Sequence, residues 1–233
     1  TWGRRGCGRP SISSTPGGGG PAQPRGASEK GPAPLAPTLF DQPLSSIYVA
    51  TIADQDFPDY PTFGCYVADD FENAVPWTIS NIFIPADGWN GFSSLLNATS
   101  LNWTIYADSG GIPSGNPAAG SCAAWSLSLP PGHPAVAISN GYSGMPSDTY
   151  LTLPIPLTLP PGRWWLVFWP QMAFSPFGQF GREPADTANY SGAQWINPAG
   201  GFGSGTTWFD WNNIDFWLGQ DAAFGGVVAP LQG

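Results

Sequence analysis

Apolar residues beyond residue 40 fall into short runs, most of them alternating with polar residues at a period of two. Such runs occur at 44–51, 65–71, 77–84, 101–107, 122–129, 135–139, 150–159, 163–169, 193–196, 206–211, 214–218 and 227–229. This period and length predict half-buried strands rather than helices. Turn chemistry separates the runs: Asp87-Gly88, Asp108-Ser-Gly-Gly111, Pro130-Pro-Gly132, Pro160-Pro-Gly162 and Gly200-Gly201. Ten to twelve short strands without intervening helices predict an all-β antiparallel sandwich or jelly roll. The run at 163–169, Arg-Trp-Trp-Leu-Val-Phe-Trp, is apolar on both faces and is expected at the centre of a sheet. The run at 150–159 alternates well but contains Pro154 and Pro156, which cannot donate to a ladder. It is therefore expected at an edge.

Composition divides the chain. Glycine and proline, 31 and 27 of 233 residues, are about twice as frequent as usual. In residues 1–40 they make up 16 of 40 positions, with only Trp2 and Phe40 as aromatics. The chain therefore reads as an extended Pro/Gly-rich N-terminal arm, residues 1–40, followed by one β-sandwich domain, residues 41–233. The high aromatic content of the second part excludes a disordered polymer. No stretch of 18 apolar residues exists, so no transmembrane segment is expected.

Charge follows the same division. Five of the seven basic residues lie in the first thirty, giving that stretch a net charge of about +4, while the remainder carries about −13. So acidic a body repels phosphate and makes nucleic acid an unsuitable partner. The opposite charge of the arm suits a neighbouring copy of the same chain, joined head to tail through residues 1–38, a contact that extends into a filament. With only 10% charged residues, the surface changes little when carboxylates protonate, which suits an acidic medium.

The three cysteines are Cys7, Cys65 and Cys122. Cys65 and Cys122 lie in strand-like runs and are candidates for one bridge, the alternative being two buried free thiols. Cys7, left over in the arm, is a candidate for an intermolecular bond. Asn97, Asn102 and Asn189 head Asn-X-Ser/Thr sequons and are candidate glycosylation sites. Asp54, Asp56 and Asp59 place three carboxylates within six residues and are a weak candidate for structural calcium. Asp69, Asp70 and Asp108 are further possible ligands, and solvated turn aspartates are the alternative. Trp165, Trp169, Trp195, Trp208 and Trp211 could stack on sugar rings if they face water, or fill the core if they do not. Alternation sends Trp165 and Trp169 to one side and Trp164 to the other, and both sides are apolar.

Catalytic signals are sparse. His133 is the single histidine, in a Pro-Gly-His-Pro turn, and no Gly-X-Ser-X-Gly elbow accompanies it. Glu72 and Glu183 are the two body glutamates, and a glycosidase reading would need them as a pair.

Ala68-Asp-Asp-Phe71 followed by Trp77-Thr-Ile, then Ile105-Tyr-Ala-Asp-Ser-Gly-Gly-Ile-Pro-Ser114, then Leu159-Pro-Pro-Gly-Arg-Trp-Trp-Leu166 form an ordered series of segments. That series resembles secreted prokaryotic cell-surface β-sandwich modules. Gln194-Trp-Ile-Asn-Pro-Ala-Gly-Gly-Phe-Gly203 and Asp215-Phe-Trp-Leu218 are similar to later segments of those modules. The resemblance spans about residues 45–225 and implies a jelly-roll-like sandwich and an extracellular or cell-surface location. It implies little about activity. The expected function is a non-catalytic structural subunit of an extracellular assembly, a filament or surface layer. A carbohydrate-binding or adhesive module is the alternative, and a small glycosidase the third.

Overall fold

The computed structural model describes residues 38–40, 42, 52–120, 123–141, 143–185, 190–211 and 227–228. The chain divides into units of residues 1–35 and 36–233, and every described residue belongs to the second. Cys7, Cys122, Asn189, most of the arm and the runs expected at 44–51 and 214–218 lie outside the described residues.

The protein is all-β. Fourteen strands are present among the described residues: β1 (Thr38–Phe40), β2 (Ile52–Ala53), β3 (Tyr66–Asn73), β4 (Trp77–Ile84), β5 (Ala86–Trp89), β6 (Ser100–Ala107) and β7 (Trp125–Leu129). They continue as β8 (Val136–Asn140), β9 (Pro146–Leu159), β10 (Gly162–Gln171), β11 (Gln179–Arg182), β12 (Gln194–Ile196), β13 (Phe209–Asp210) and β14 (Val227–Val228). One sheet runs β1-β14-β4-β9-β8, a second runs β13-β12-β3-β10-β6-β7, and a third, of three strands, runs β2-β11-β5. Every pairing within these sheets is antiparallel.

The two larger sheets close on one core. Ile79, Ile82 and Ile84 of β4 and Leu151, Leu153 and Leu159 of β9 meet Phe71, Trp103, Ile105, Leu166 and Phe168 of the six-stranded sheet. β10 lies between β3 and β6, central as its two apolar faces predict. Leu166 and Phe168 point into the core between the sheets, whereas Trp165 and Val167 are buried on the sheet's other side with Tyr66, Ala68, Tyr106 and Ile196. Trp208 helps cover that outer face, its indole N–H donating to Gly115 O across 2.8 Å.

One expectation is corrected and one is refined. Residues 38–40, assigned by composition to the arm, form edge strand β1 of the sandwich, and Phe40 enters the core. The run at 150–159 is part of β9, which lies between β4 and β8, but β8 reaches only to Leu151, so the half that holds the prolines is open on that side as an edge strand is. Its prolines are accommodated because the β4–β9 register breaks between Ile79 and Asn81, opposite Leu157 and Thr152. Pro154, Ile155 and Pro156 fall in this interruption, and β8 pairs only as far as Leu151, so no ladder bond is demanded of them.

The three-stranded sheet, whose Ala86 and Phe180 join the same core, was not expected from the pattern. Asp87-Gly88, which reads as a turn, lies in β5. A side chain at Gly88 would sit 2.2 Å from Cγ of Phe92, so only glycine allows that ring to lie against the strand. Beside β2 and β11 of this sheet, Asp54 and Arg182 form a fully buried pair 3.8 Å apart. Burial drives the Asp54 pKa well up and the Arg182 pKa down, each opposed by the other's charge. No helix among the described residues is long and apolar enough to cross a membrane.

Candidate functional site

The surface next to the three-stranded sheet carries an open aromatic groove of about 270 Å³, lined by Phe57, Tyr60, Phe63, Phe174, Gln179 and Phe202. Five of the six are rings, drawn from three separate stretches of chain. Phe57 and Tyr60 precede a short 3-10 turn, Pro61–Phe63, which presents Phe63. Phe174 opens the single turn Phe174–Phe177 after β10, Gln179 begins β11, and Phe202 lies in the loop after β12.

Backbone-directed polar side chains bring these stretches together. The carboxylate of Asp59 accepts the N–H groups of Phe174 (2.9 Å) and Ser175 (3.0 Å), joining two walls of the groove. Desolvation opposes ionisation of Asp59, but those N–H bonds outweigh it and hold its pKa below the usual carboxylate range. Asn197, fully buried, donates to Thr62 O (2.9 Å) and Gly64 O (2.8 Å) and accepts from Phe202 N–H (2.9 Å). Gly201 N–H also donates to Thr62 O. A Cβ at Gly201 would stand 2.4 Å from that same oxygen, so the approach of the two loops requires glycine there.

The rings meet mostly edge to face. Phe57 meets Phe174 at 6.4 Å and 62°, Tyr60 meets Phe174 at 6.0 Å and 80°, and Tyr60 meets Phe63 at 6.4 Å and 85°. Phe63 meets Phe202 at 5.1 Å and 87°, and Phe202 rests on Trp195 at 5.8 Å. Edge-to-face contacts fix ring orientation beyond simple burial. Despite them, Tyr60, Phe202 and Phe63 remain 50%, 41% and 37% exposed. The other exposed large apolar side chains, among them Val75, Leu96, Ile112, Ile155 and Tyr190, line no part of the groove. An open aromatic cleft suits apolar surface, and its polar equipment is the Gln179 amide and the Tyr60 hydroxyl.

None of the residues singled out from sequence lines this groove. Trp165 is buried, donating to Asp108 Oδ1 at 2.8 Å beneath the Arg163 guanidinium. Trp195 is buried under the groove and donates to Ala53 O, and Trp211 is buried beside it in the same cluster. Trp169 and Trp208 are half-buried, Trp169 edge-on to Tyr66. The five tryptophans thus belong to packing rather than to one stacking platform. Asp54, Asp56 and Asp59 diverge: the first pairs with Arg182, the second accepts from Gln171, the third joins the groove walls. Among the described residues no three acidic, histidine or cysteine side chains converge as a metal site. Asp69 is buried and accepts from Gln42, and Asp70 pairs with Arg163 on the outer face of the six-stranded sheet.

Cys65 is a buried free thiol, its S–H directed at Ala53 O. Burial pushes its pKa far up, which makes it unreactive. Asn97 sits half-buried in the surface turn Leu95–Asn97, with Thr99 exposed. Asn102 lies inside β6, its amide donating to Ser100 Oγ and Trp169 O, and Thr104 of that sequon is buried. Glu72 is exposed on β3, Glu183 is buried after β11, and neither reaches the groove. His133 accepts a bond from Ala135 N–H in its turn.

In comparisons with known proteins, the chain matches no family model, no curated protein and no solved structure. The groove was not legible in sequence because its members lie up to 145 residues apart, in segments that read as turns.

Proposed function

We propose that the protein is a non-catalytic structural subunit of an extracellular assembly and adheres to neighbouring copies through the aromatic groove. One observation carries this reading: Tyr60, Phe63 and Phe202 are held open to solvent on a hydrogen-bonded frame, with no charged side chain among the six that line the groove. Exposed aromatic anchors of this sort dominate the energetics of protein contacts. A sugar-binding site pairs a stacking face with many polar groups, and the groove offers one amide and one hydroxyl. The carbohydrate alternative therefore has less support. The −13 charge of the body against the +4 of the first thirty residues favours contacts between copies over contacts with other acidic surfaces. The secreted location rests on the sequons and on the segment resemblance.

The test compares the full chain with a Tyr60→Ser/Phe63→Ser variant by sedimentation velocity and negative-stain imaging, with circular dichroism to follow the fold. Self-association is expected in the parent and is expected to fall at least tenfold in the folded variant. Equal association of the two proteins would sink the reading.

A further inference from the structure

We infer that the groove takes the segment Pro21-Ala-Gln-Pro24-Arg25 of a second copy, with the prolines between the aromatic rings and Arg25 against Asp59. This rests on the subunit-contact reading and names its occupant. Three observations converge on it.

The first is the chemistry of the groove. Aromatic ridges with one or two polar side chains between them are the surface that receives Pro-x-x-Pro peptides. Proline rings fill the spaces between aromatic rings, and an extended backbone free of internal hydrogen bonds leaves its carbonyls to the few donors present. Here those donors are the Tyr60 hydroxyl and the Gln179 amide.

The second is sequence. In residues 1–37 the Pro-x-x-Pro spacing occurs twice, at Pro21–Pro24 and Pro34–Pro37, and only the first is followed by a base. Asp59 is exposed between Phe57 and Tyr60 and is kept ionised by its two N–H partners, so a carboxylate stands beside the rings for Arg25.

The third is length. Pro37 is covalently next to Thr38 of β1, whereas fourteen residue steps separate Pro24 from it. Fourteen steps of extended chain reach roughly 40 Å. That exceeds twice the radius of gyration of about 16 Å expected for a body of this size. The first motif can thus reach a neighbouring molecule, and the second is held close to its own sheet.

The receptor for the test is the full chain carrying Pro21→Ala and Pro24→Ala, which removes the competing motif. A fluorescein-labelled peptide of residues 18–27 is titrated into it by fluorescence anisotropy. Saturable binding is expected, weakened at least tenfold when the receptor also carries Phe63→Ser. It is expected to weaken about three- to tenfold when the peptide carries Arg25→Gln, with Arg25→Lys intermediate. A peptide of residues 31–38 is expected to bind at least tenfold more weakly. No saturable binding, indifference to Phe63→Ser, or equal affinity of the 31–38 peptide would each overturn the assignment. If the peptide fails while Tyr60→Ser/Phe63→Ser still abolishes self-association, the groove remains the subunit contact with a different occupant. If both fail, the contact reading falls as well.

Discussion

Asn197 shows how much of this surface depends on single side chains. Three hydrogen bonds from one buried amide join the turn that presents Phe63 to the loop that presents Phe202. Asn197→Ala strips the Gly64 carbonyl and the Phe202 N–H of these partners in a dry setting and leaves Thr62 O with the Gly201 N–H alone. Each such group costs on the order of 1 kcal/mol or more. The substitution should therefore destabilise the body by about 2–4 kcal/mol, read from urea unfolding midpoints. Gly201→Ala tests the same junction sterically, since its new methyl would collide with a backbone oxygen that Asn197 holds in place. It should cost about 1–3 kcal/mol, as overpacking does. A change below 0.5 kcal/mol in both variants would mean the two loops are not joined as described. Asn197 carried no signal in the sequence, where Asn-Pro-Ala-Gly-Gly reads only as a turn. Its role exists because residues 62–64 are brought beside it by pairing of β3 with β12.

Strands show where pattern suffices and where it misleads. β10 was legible because six consecutive apolar residues, 164–169, leave no polar face for solvent, and only a central position covers both sides. β9 has a legible inside and outside but not a legible position. Proline at 154 and 156 signals a missing ladder bond, and the side left open beyond Leu151 together with the register break opposite β4 meets that need within a strand that is central at its other end. The short strands β2, β5 and β11 have too few residues for alternation to register, and two of them contain glycine where a ring or a backbone lies close. The β9 arrangement makes a sharp prediction. Leu153 is buried in the core, while Ile155, two residues on, is 72% exposed at the interruption. Leu153→Ala should cost about 2–4 kcal/mol, as buried leucines do, and Ile155→Ser less than about 0.5 kcal/mol. If thermal melts rank the two variants the other way, the interruption is misplaced and Ile155 faces the core.

At the scale of the whole molecule, acidic groups and burial set the response to pH. Burial raises the carboxyl of Asp148 to about 6, the N–H of Ala86 opposing and the charge of Asp87 adding to the rise. Burial also raises Asp54 and Asp70, in each case against the attraction of an arginine. A carboxyl with a raised folded pKa binds its proton more tightly in the native state than in the unfolded chain. Its contribution to stability is complete below the unfolded value near pH 4 and disappears as pH rises through the folded value. Asp59, whose pKa is lowered, runs the other way and gives up its contribution as pH falls below about 4. Three groups therefore favour the folded state on acidification from pH 7 toward 4.5, and one opposes it only at the lower end. Relief of repulsion within a body of net charge −13 acts in the same direction. A shift of about two pKa units is worth roughly 3 kcal/mol in full, and Asp148 is only half-buried, so solvent screening reduces it to about 1–2 kcal/mol. For a domain of this size that is roughly 3–6 °C in Tm. About half of this gain is realised between pH 7 and pH 5, so the Tm should rise there by at least roughly 1–3 °C. Asp148→Asn keeps the acceptor for Ala86 N–H but has no charge to bury, so it should raise the Tm at pH 7 and flatten the slope between pH 5 and 7. A Tm that falls steadily from pH 7 to pH 5, or an Asp148→Asn variant with the parent's slope, would rule this out. Acid tolerance would then come only from a surface with few charges, and the buried carboxylates would have no part in it.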